Sequence, residues 1–154
     1  MKKILFVCLG NICRSPMAEE VFRQYAIQQD AEQDWFIDSA GIGSWHEGQL
    51  PDRRMRKAAE QHGYSLTMRA RQVKPGDFDR FDYVVAMDRE NIQDLRRIAT
   101  SKQQADKILS MADYLTEHPG QETIPDPYYG NDRDFHFVIE LLEDAVVGLF
   151  RRVE

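Results

Sequence analysis

The apolar run Ile4–Val7 ends at Cys8, passes Gly10 and Asn11, and reaches Pro16 at the head of a segment with helical period. A buried strand must therefore turn into a helix across Cys8–Pro16, which leaves few backbone paths. Gly10 and Asn11 tolerate the left-handed angles that a tight loop needs, and Pro16 suits a first helical turn, where a missing N–H breaks no bond. Amides of such a loop converge on one point. An oxyanion placed there meets several N–H donors and the positive end of the helix dipole.

Beyond this start, apolar runs alternate with helical-period segments, the pattern of an α/β protein with a parallel sheet. Ile4–Cys8, Phe36–Ala40, Phe81–Met87 and a short Asp106–Met111 read as strands. The first helix is predicted over about Pro16–Gln29, with Met17, Val21, Phe22 and Tyr25 inward. Pro51-Asp52 opens a second, whose Met55, Ala58 and Ala59 face the core before Gly63 stops it. Asp88 can cap a third, marked by Ile92, Leu95 and Ala99. The last helix carries the longest apolar stripe, from Phe135 through Ile139, Leu142 and Val146 to Phe150. Ahead of it, Thr116 to Asp134 forms a long loop containing Asp126-Pro127-Tyr128-Tyr129-Gly130. In a parallel sheet this loop and the one after the first strand share one edge, where ligands of doubly wound folds bind.

Composition narrows the function. A chain of 154 residues, 42% hydrophobic, buries one core, so residues 1–154 are expected to form a single domain. The net charge of −6 gives no footprint for nucleic acid. Met1-Lys2-Lys3 resembles the opening of a signal peptide, but the apolar run stops at Gly10-Asn11, and no stretch approaches a membrane span. The only cysteines, Cys8 and Cys13, both lie in the loop, which argues against a disulfide scaffold or a structural zinc site. Histidines 46, 62, 118 and 136 form no ligand motif. The expectation is a cytoplasmic protein without metal or cofactor.

The residue types in the loop point to phosphoryl chemistry. Arg14 offers a planar fork that can grip two oxygens of a tetrahedral anion. Its field, with the helix terminus, favours the thiolate of Cys8, and the Ser15 hydroxyl can hydrogen-bond that sulfur. In-line attack on a phosphate monoester also needs a proton for the leaving oxygen, and Asp126 on the late loop is the candidate acid, then the base for water.

Cys8-x5-Arg14-Ser15, Asp38-Ser39-Ala40-Gly41, Ala70-Arg71-Gln72, Met87-Asp88 and Asp126-Pro127-Tyr128-Tyr129-Gly130 together resemble the low-molecular-weight protein tyrosine phosphatases. The resemblance spans nearly the whole chain. It implies a four-stranded parallel sheet flanked by helices on both faces, with the phosphate-binding loop after the first strand. It also implies metal-independent hydrolysis of phosphotyrosine and aryl phosphates through a phosphocysteine, with Cys8 as nucleophile, Arg14 as phosphate binder and Asp126 as acid and base. Leu9, Gly10, Asn11, Ile12, Cys13 and Ser15 complete the phosphate and substrate site, and Ser39 helps Asn11 to fix the loop. Trp45 and Tyr128 match the aromatic rim, and apolar Ile12 matches the tyrosine-specific members where arginine phosphatases tend to carry threonine. Met68 stands where family members commonly carry a histidine beside Asn11, which leaves Asn11 more dependent on Ser39 or a water. The implied partner is a phosphotyrosine protein, and the implied state is a monomer, with weak dimerisation left open.

Other readings stand beside these. Cys13 is either a core-packing residue or a redox partner that traps oxidised Cys8. Asp88 is read as a helix cap rather than a reacting group, and Arg53, Arg54, Arg56 and Lys57 as a solvated helix face. Within the fold, an arginine phosphatase or an arsenate reductase is a rival, although arsenate reduction needs resolving cysteines downstream of Cys13. From another class, a non-hydrolytic anion-binding or phosphocysteine carrier domain would share the loop but have no use for Asp126.

Overall fold

Strands β1 (Lys2–Cys8), β2 (Trp35–Gly41), β3 (Tyr83–Ala86) and β4 (Ile108–Ser110) of the computed structural model, which describes residues 1–154, form one parallel sheet in the order β2-β1-β3-β4. The run Ile4–Val7 is wholly buried because β1 has a strand on each side and helices on both faces. Its side chains alternate: Ile4, Phe6 and Cys8 enter one apolar cluster, and Leu5 and Val7 the other.

Helices α1 (Arg14–Gln28), α2 (Arg53–Gln61) and α6 (Asp132–Val153) cover the first face. The rings of Phe22 and Phe6 lie 5.6 Å apart there, and those of Phe22 and Phe150 5.7 Å. Short α3 (Asp77–Arg80) and α4 (Arg89–Ile98) cover the second, through Phe78, Phe81 and Leu95. A single turn, α5 (Lys102–Ala105), and 3-10 turns at Glu32–Asp34 and Met111–Tyr114 complete the elements. No helix is long and apolar enough to cross a membrane.

The predicted four-stranded parallel sheet with helices on both faces is present, with shifts at the element ends. Helix α1 starts at Arg14, so Pro16 takes its third position, where the N–H still has no intrahelical partner to lose. Tyr25 is only half-buried and meets Phe150 edge-on at 5.3 Å. The predicted strand Phe81–Met87 shortens to Tyr83–Ala86, because Phe81 closes α3 and packs beside Phe36. Asp106–Met111 shortens to Ile108–Ser110: Asp106 caps α5 and Met111 opens a 3-10 turn. Ala99 is the extended residue that ends α4 rather than part of it. The long loop stops at Asn131, where a reciprocal capping box between Asn131 and Asp134 starts α6.

Candidate active site

With β1 between β2 and β3, the chain leaves β1 toward one edge of the sheet and later returns on the other side. The C-terminal end of β1 is thus the switch point, and Cys8 sits on it. The following loop is pinned along its outer side by Ile42 N–H to Cys8 O at 2.9 Å, Gly43 N–H to Leu9 O at 2.9 Å and Asp52 N–H to Ile12 O at 2.7 Å. These bonds use the loop carbonyls. The N–H groups from Leu9 to Cys13 donate to no other part of the protein, and Cys13, at the N-cap of α1, makes no side-chain cap bond. Asn11 holds the left-handed conformation, with φ 58°.

Cys8 and Arg14 are both buried at 2% exposure. Cys8 Sγ lies 3.0 Å from Ser15 Oγ. The Arg14 guanidinium donates from Nη1 to Asp88 Oδ2 at 2.6 Å and to the Ile124 carbonyl at 2.9 Å, and its Nη2 is 3.6 Å from Asp126 Oδ2. Burial opposes the charge of Arg14, but Cys8, Asp88 and Asp126 outweigh it and hold the guanidinium ionised. Asp126, on the late loop, has its side chain 39% exposed and accepts the Tyr128 N–H through Oδ1 at 3.1 Å. It therefore hangs over the loop with one oxygen anchored.

Cys8, Arg14 and Asp126 line one pocket of about 300 Å³, with Leu9, Gly10, Ile12 and Cys13 in its wall and Trp45, Tyr128 and Tyr129 at its mouth. Trp45 is 67% exposed; its ring lies against Gly43, where a Cβ would come within 1.9 Å of ring carbon Cζ3. A thiol, a buried guanidinium, a fan of unused amides and an exposed carboxylate suit a tetrahedral oxyanion attached to a flat apolar group.

The family model described as low molecular weight phosphotyrosine protein phosphatase matches residues 3–154. The chain belongs to this family of protein phosphatases. A low molecular weight phosphotyrosine protein phosphatase of Sus scrofa is 43% identical over 140 residues, covering 90% of this chain and 87% of that one. The structure of a protein tyrosine phosphatase from Entamoeba histolytica with Hepes in its active site superposes with a TM-score of 0.96 at 42% identity, covering 99% and 97% of the two chains. A Drosophila arginine phosphatase superposes with a TM-score of 0.91 at 32% identity, over 100% and 98%.

Sequence segments that carried the family resemblance without an assigned contact meet behind the loop. Asn11 Nδ2 donates to Ser15 Oγ at 2.8 Å and to Ser39 Oγ at 3.0 Å, while Asn11 Oδ1 accepts the Arg71 N–H at 3.0 Å. Asn11 thus relies on Ser39, as expected, and also on Ser15 and the Arg71 backbone; Met68 is a half-buried residue against the main core. Arg71 is held by Asp38 at 3.0 Å and by Asp77 at 3.1 and 3.2 Å. Gly41 lies so close that a Cβ on it would come within 2.9 Å of the Gly10 carbonyl carbon.

Several site neighbours escaped the sequence reading. Asp88 is a helix cap as expected, through Asn91 N–H, but it is also the ion-pair partner of Arg14; its place directly after an apolar strand was the available signal. His46 lines the pocket, its ring packed over Gly10 and its Nδ1 3.0 Å from Gln49 Oε1. Arg54 is not simply solvated: it pairs with Asp52 and lies over the rings of Tyr128, at 5.4 Å, and Phe135, at 4.7 Å. Glu19 is buried behind Ser39, which no apolar periodicity predicts.

Proposed function

We propose that this chain hydrolyses phosphotyrosine in proteins, and aryl phosphates, through a phosphocysteine on Cys8 and without a metal ion. The observation that carries the reading is that Cys8, Arg14 and Asp126 line one pocket beneath Trp45 and Tyr128. The thiolate of Cys8 attacks phosphorus in line with the tyrosine oxygen. Arg14 and the loop amides hold the three equatorial oxygens and carry the charge that a metal supplies elsewhere. The departing phenolate, whose conjugate acid has a pKa of about 10, takes its proton from Asp126. Asp126, now ionised, takes a proton from the water that displaces Cys8 from phosphorus, and the Ser15 hydroxyl donates to the leaving sulfur. Phosphate is then released.

Two observations favour tyrosine over arginine. Ile12 presents an apolar wall to the pocket, and the rim formed by Trp45 and Tyr128 suits the faces of a phenyl ring. Residues 1–154 are read as one phosphatase domain, acting in the cytoplasm as a monomer.

The test is phosphate release from phosphotyrosine, phosphoserine and phosphoarginine peptides. Wild type is expected to prefer phosphotyrosine, and Cys8→Ser to lose turnover. Asp126→Asn should lose about 10²- to 10⁴-fold on the phosphotyrosine peptide and far less on an aryl phosphate whose leaving group needs no proton. Equal loss on both substrates removes Asp126 as the acid. Faster turnover of phosphoarginine replaces the tyrosine reading with the arginine one, and no turnover by folded wild type favours an anion-binding domain.

A further inference from the structure

The turn that carries Asp126 hydrogen-bonds only to itself. Between Asp126 and Gly130 the bonds are the Tyr128 N–H to Asp126 Oδ1 at 3.1 Å and the Gly130 N–H to the Pro127 carbonyl at 2.8 Å. Neither ties the turn to another element, and Asp126 Oδ2 stands 3.6 Å from Arg14 Nη2. The hold on the rest of the protein therefore falls to packing. Pro127 is buried, and the Tyr128 ring lies under the Arg54 guanidinium, with 5.4 Å between their centres.

Arg54, in the first turn of α2, reaches three parts of the chain at once. Its Nε and Nη2 donate to Asp52 at 3.1 and 2.8 Å. Asp52 caps α2 by accepting the Arg54 N–H at 2.8 Å, and its own N–H holds the Ile12 carbonyl, in the loop after β1, at 2.7 Å. The same guanidinium lies over the ring of Phe135, in the first turn of α6, at 4.7 Å, and over that of Tyr128. A guanidinium suits both tasks, because its donors point along its edge and its faces are left for rings. Burial pushes the Asp52 carboxyl up, but the bonds from Arg54 outweigh that and hold it below the ordinary carboxylate range, so the fork stays closed at neutral pH.

We propose that Arg54 is a positioning residue for the general acid: by joining Asp52, Phe135 and Tyr128 it fixes the turn that carries Asp126 above the loop of Cys8. The proposal rests on the reading of Asp126 as the acid. The path is short. It runs from the Ile12 carbonyl through Asp52 and Arg54 to the Tyr128 ring, and returns through the Tyr128 N–H to the Asp126 carboxylate. Proton transfer to the leaving oxygen needs the acid within hydrogen-bond reach, and a displacement of about 1 Å costs about 10²-fold in rate. Arg54 is half-exposed, so its role is separable from folding.

The experiment compares kcat/KM for phenyl phosphate, whose leaving group needs a proton, with that for para-nitrophenyl phosphate, whose leaving group does not. Both use the same rim and neither carries a peptide, so their ratio isolates the acid. Arg54→Met is expected to lower phenyl phosphate about tenfold and para-nitrophenyl phosphate by no more than about twofold. In the Asp126→Asn background it should lower phenyl phosphate no further. One enzyme concentration enters both rates, so a merely structural role leaves the ratio unmoved. An unchanged ratio, or a loss that multiplies with that of Asp126→Asn, overturns the proposal. Should Arg54→Met not fold, Arg54→Lys decides, since it keeps the charge without the planar fork: a lowered ratio supports the proposal and the wild-type ratio overturns it. Failure of the phosphatase reading looks different, because wild type would then turn over neither substrate.

Discussion

Asp88 meets Arg14 at 2.6 Å through Oδ2 and, with its other oxygen, accepts the N–H of Asn91 at 2.8 Å. One carboxylate thereby starts α4 and aims the buried guanidinium at the loop. The two tasks can be separated. Asp88→Ser keeps a capping oxygen but leaves the buried Arg14 guanidinium without its nearest counter-charge, so the inhibition constant for phosphate is expected to rise about tenfold and Tm to fall with the broken ion pair. Asp88→Ala should show the same weakened phosphate binding and lose about 1 kcal/mol more stability than Asp88→Ser, the share of the cap. Phosphate inhibition and thermal unfolding of both variants check this.

Gly41 ends β2 against the back of the loop that joins β1 to α1. A methyl group there meets the Gly10 carbonyl carbon at 2.9 Å and Asn11 N at 3.0 Å, both backbone atoms that cannot rotate away. Gly41→Ala is expected to cost about 1 to 3 kcal/mol by overpacking and to reduce turnover more than its loss of folded protein explains. Urea unfolding and kcat on the same preparation separate the two effects.

Cys13 sits beside Cys8 yet answers to different surroundings. Burial first, then the neighbouring Cys8, Asp52 and Asp126, push its thiol far above the ordinary range, while Arg54 pulls weakly the other way. Iodoacetamide at pH 7 is therefore expected to label Cys8 and spare Cys13, with peptide mapping as the readout. Cys13→Ser should keep turnover within about threefold, since a protonated, buried thiol is no rival nucleophile. Peroxide then chooses between its two readings: recovery of Cys13→Ser with thiol as full as in wild type leaves packing as its role.

Asp144 ties the start of the long loop to α6, accepting from Thr116 N, Glu117 N and His118 Nδ1. Burial pushes its carboxyl up, but the bonds from His118, Thr116 and Glu117 outweigh that and hold it below the usual carboxylate range. A carboxyl lowered by folding contributes stability that is complete above its unfolded value, about 3.9, and is lost as pH falls through the folded one. Asp144→Asn should thus cost about 1 kcal/mol or more at pH 7 and progressively less below pH 4. Urea midpoints at pH 7 and pH 3 give the comparison.

The strand-to-helix turn at Cys8–Pro16 was legible because local chemistry alone demands it: an apolar run, residues that accept left-handed angles, then a proline where a helix begins. The α6 stripe was legible for the same reason, with every inward position repeated at helical spacing. What stayed hidden depends on the third dimension. Arg71 and Asp77 are six residues apart, but Asp38 lies 33 residues upstream of Arg71, and only the neighbouring ends of β2 and the segment after α2 bring them together. Asp88 showed its cap but not its ion pair, because the first is a contact within its own helix and the second spans 74 residues. Glu19 broke the apolar pattern of α1, and nothing in the sequence says that a charge there faces Ser39 rather than water.

The pocket mouth and the pocket floor are built to different mechanical standards. The floor is locked to α1, β2 and the Arg71 segment by buried hydrogen bonds, whereas Trp45, Tyr128 and Tyr129 stand in solvent on loops, Tyr129 at 96% exposure. Exchanges at the mouth cost little folding energy, while those at the floor are felt through the whole scaffold. Exchanges of the three exposed aromatics would therefore change what the mouth admits while Cys8, Arg14 and the bonds beneath them keep their places.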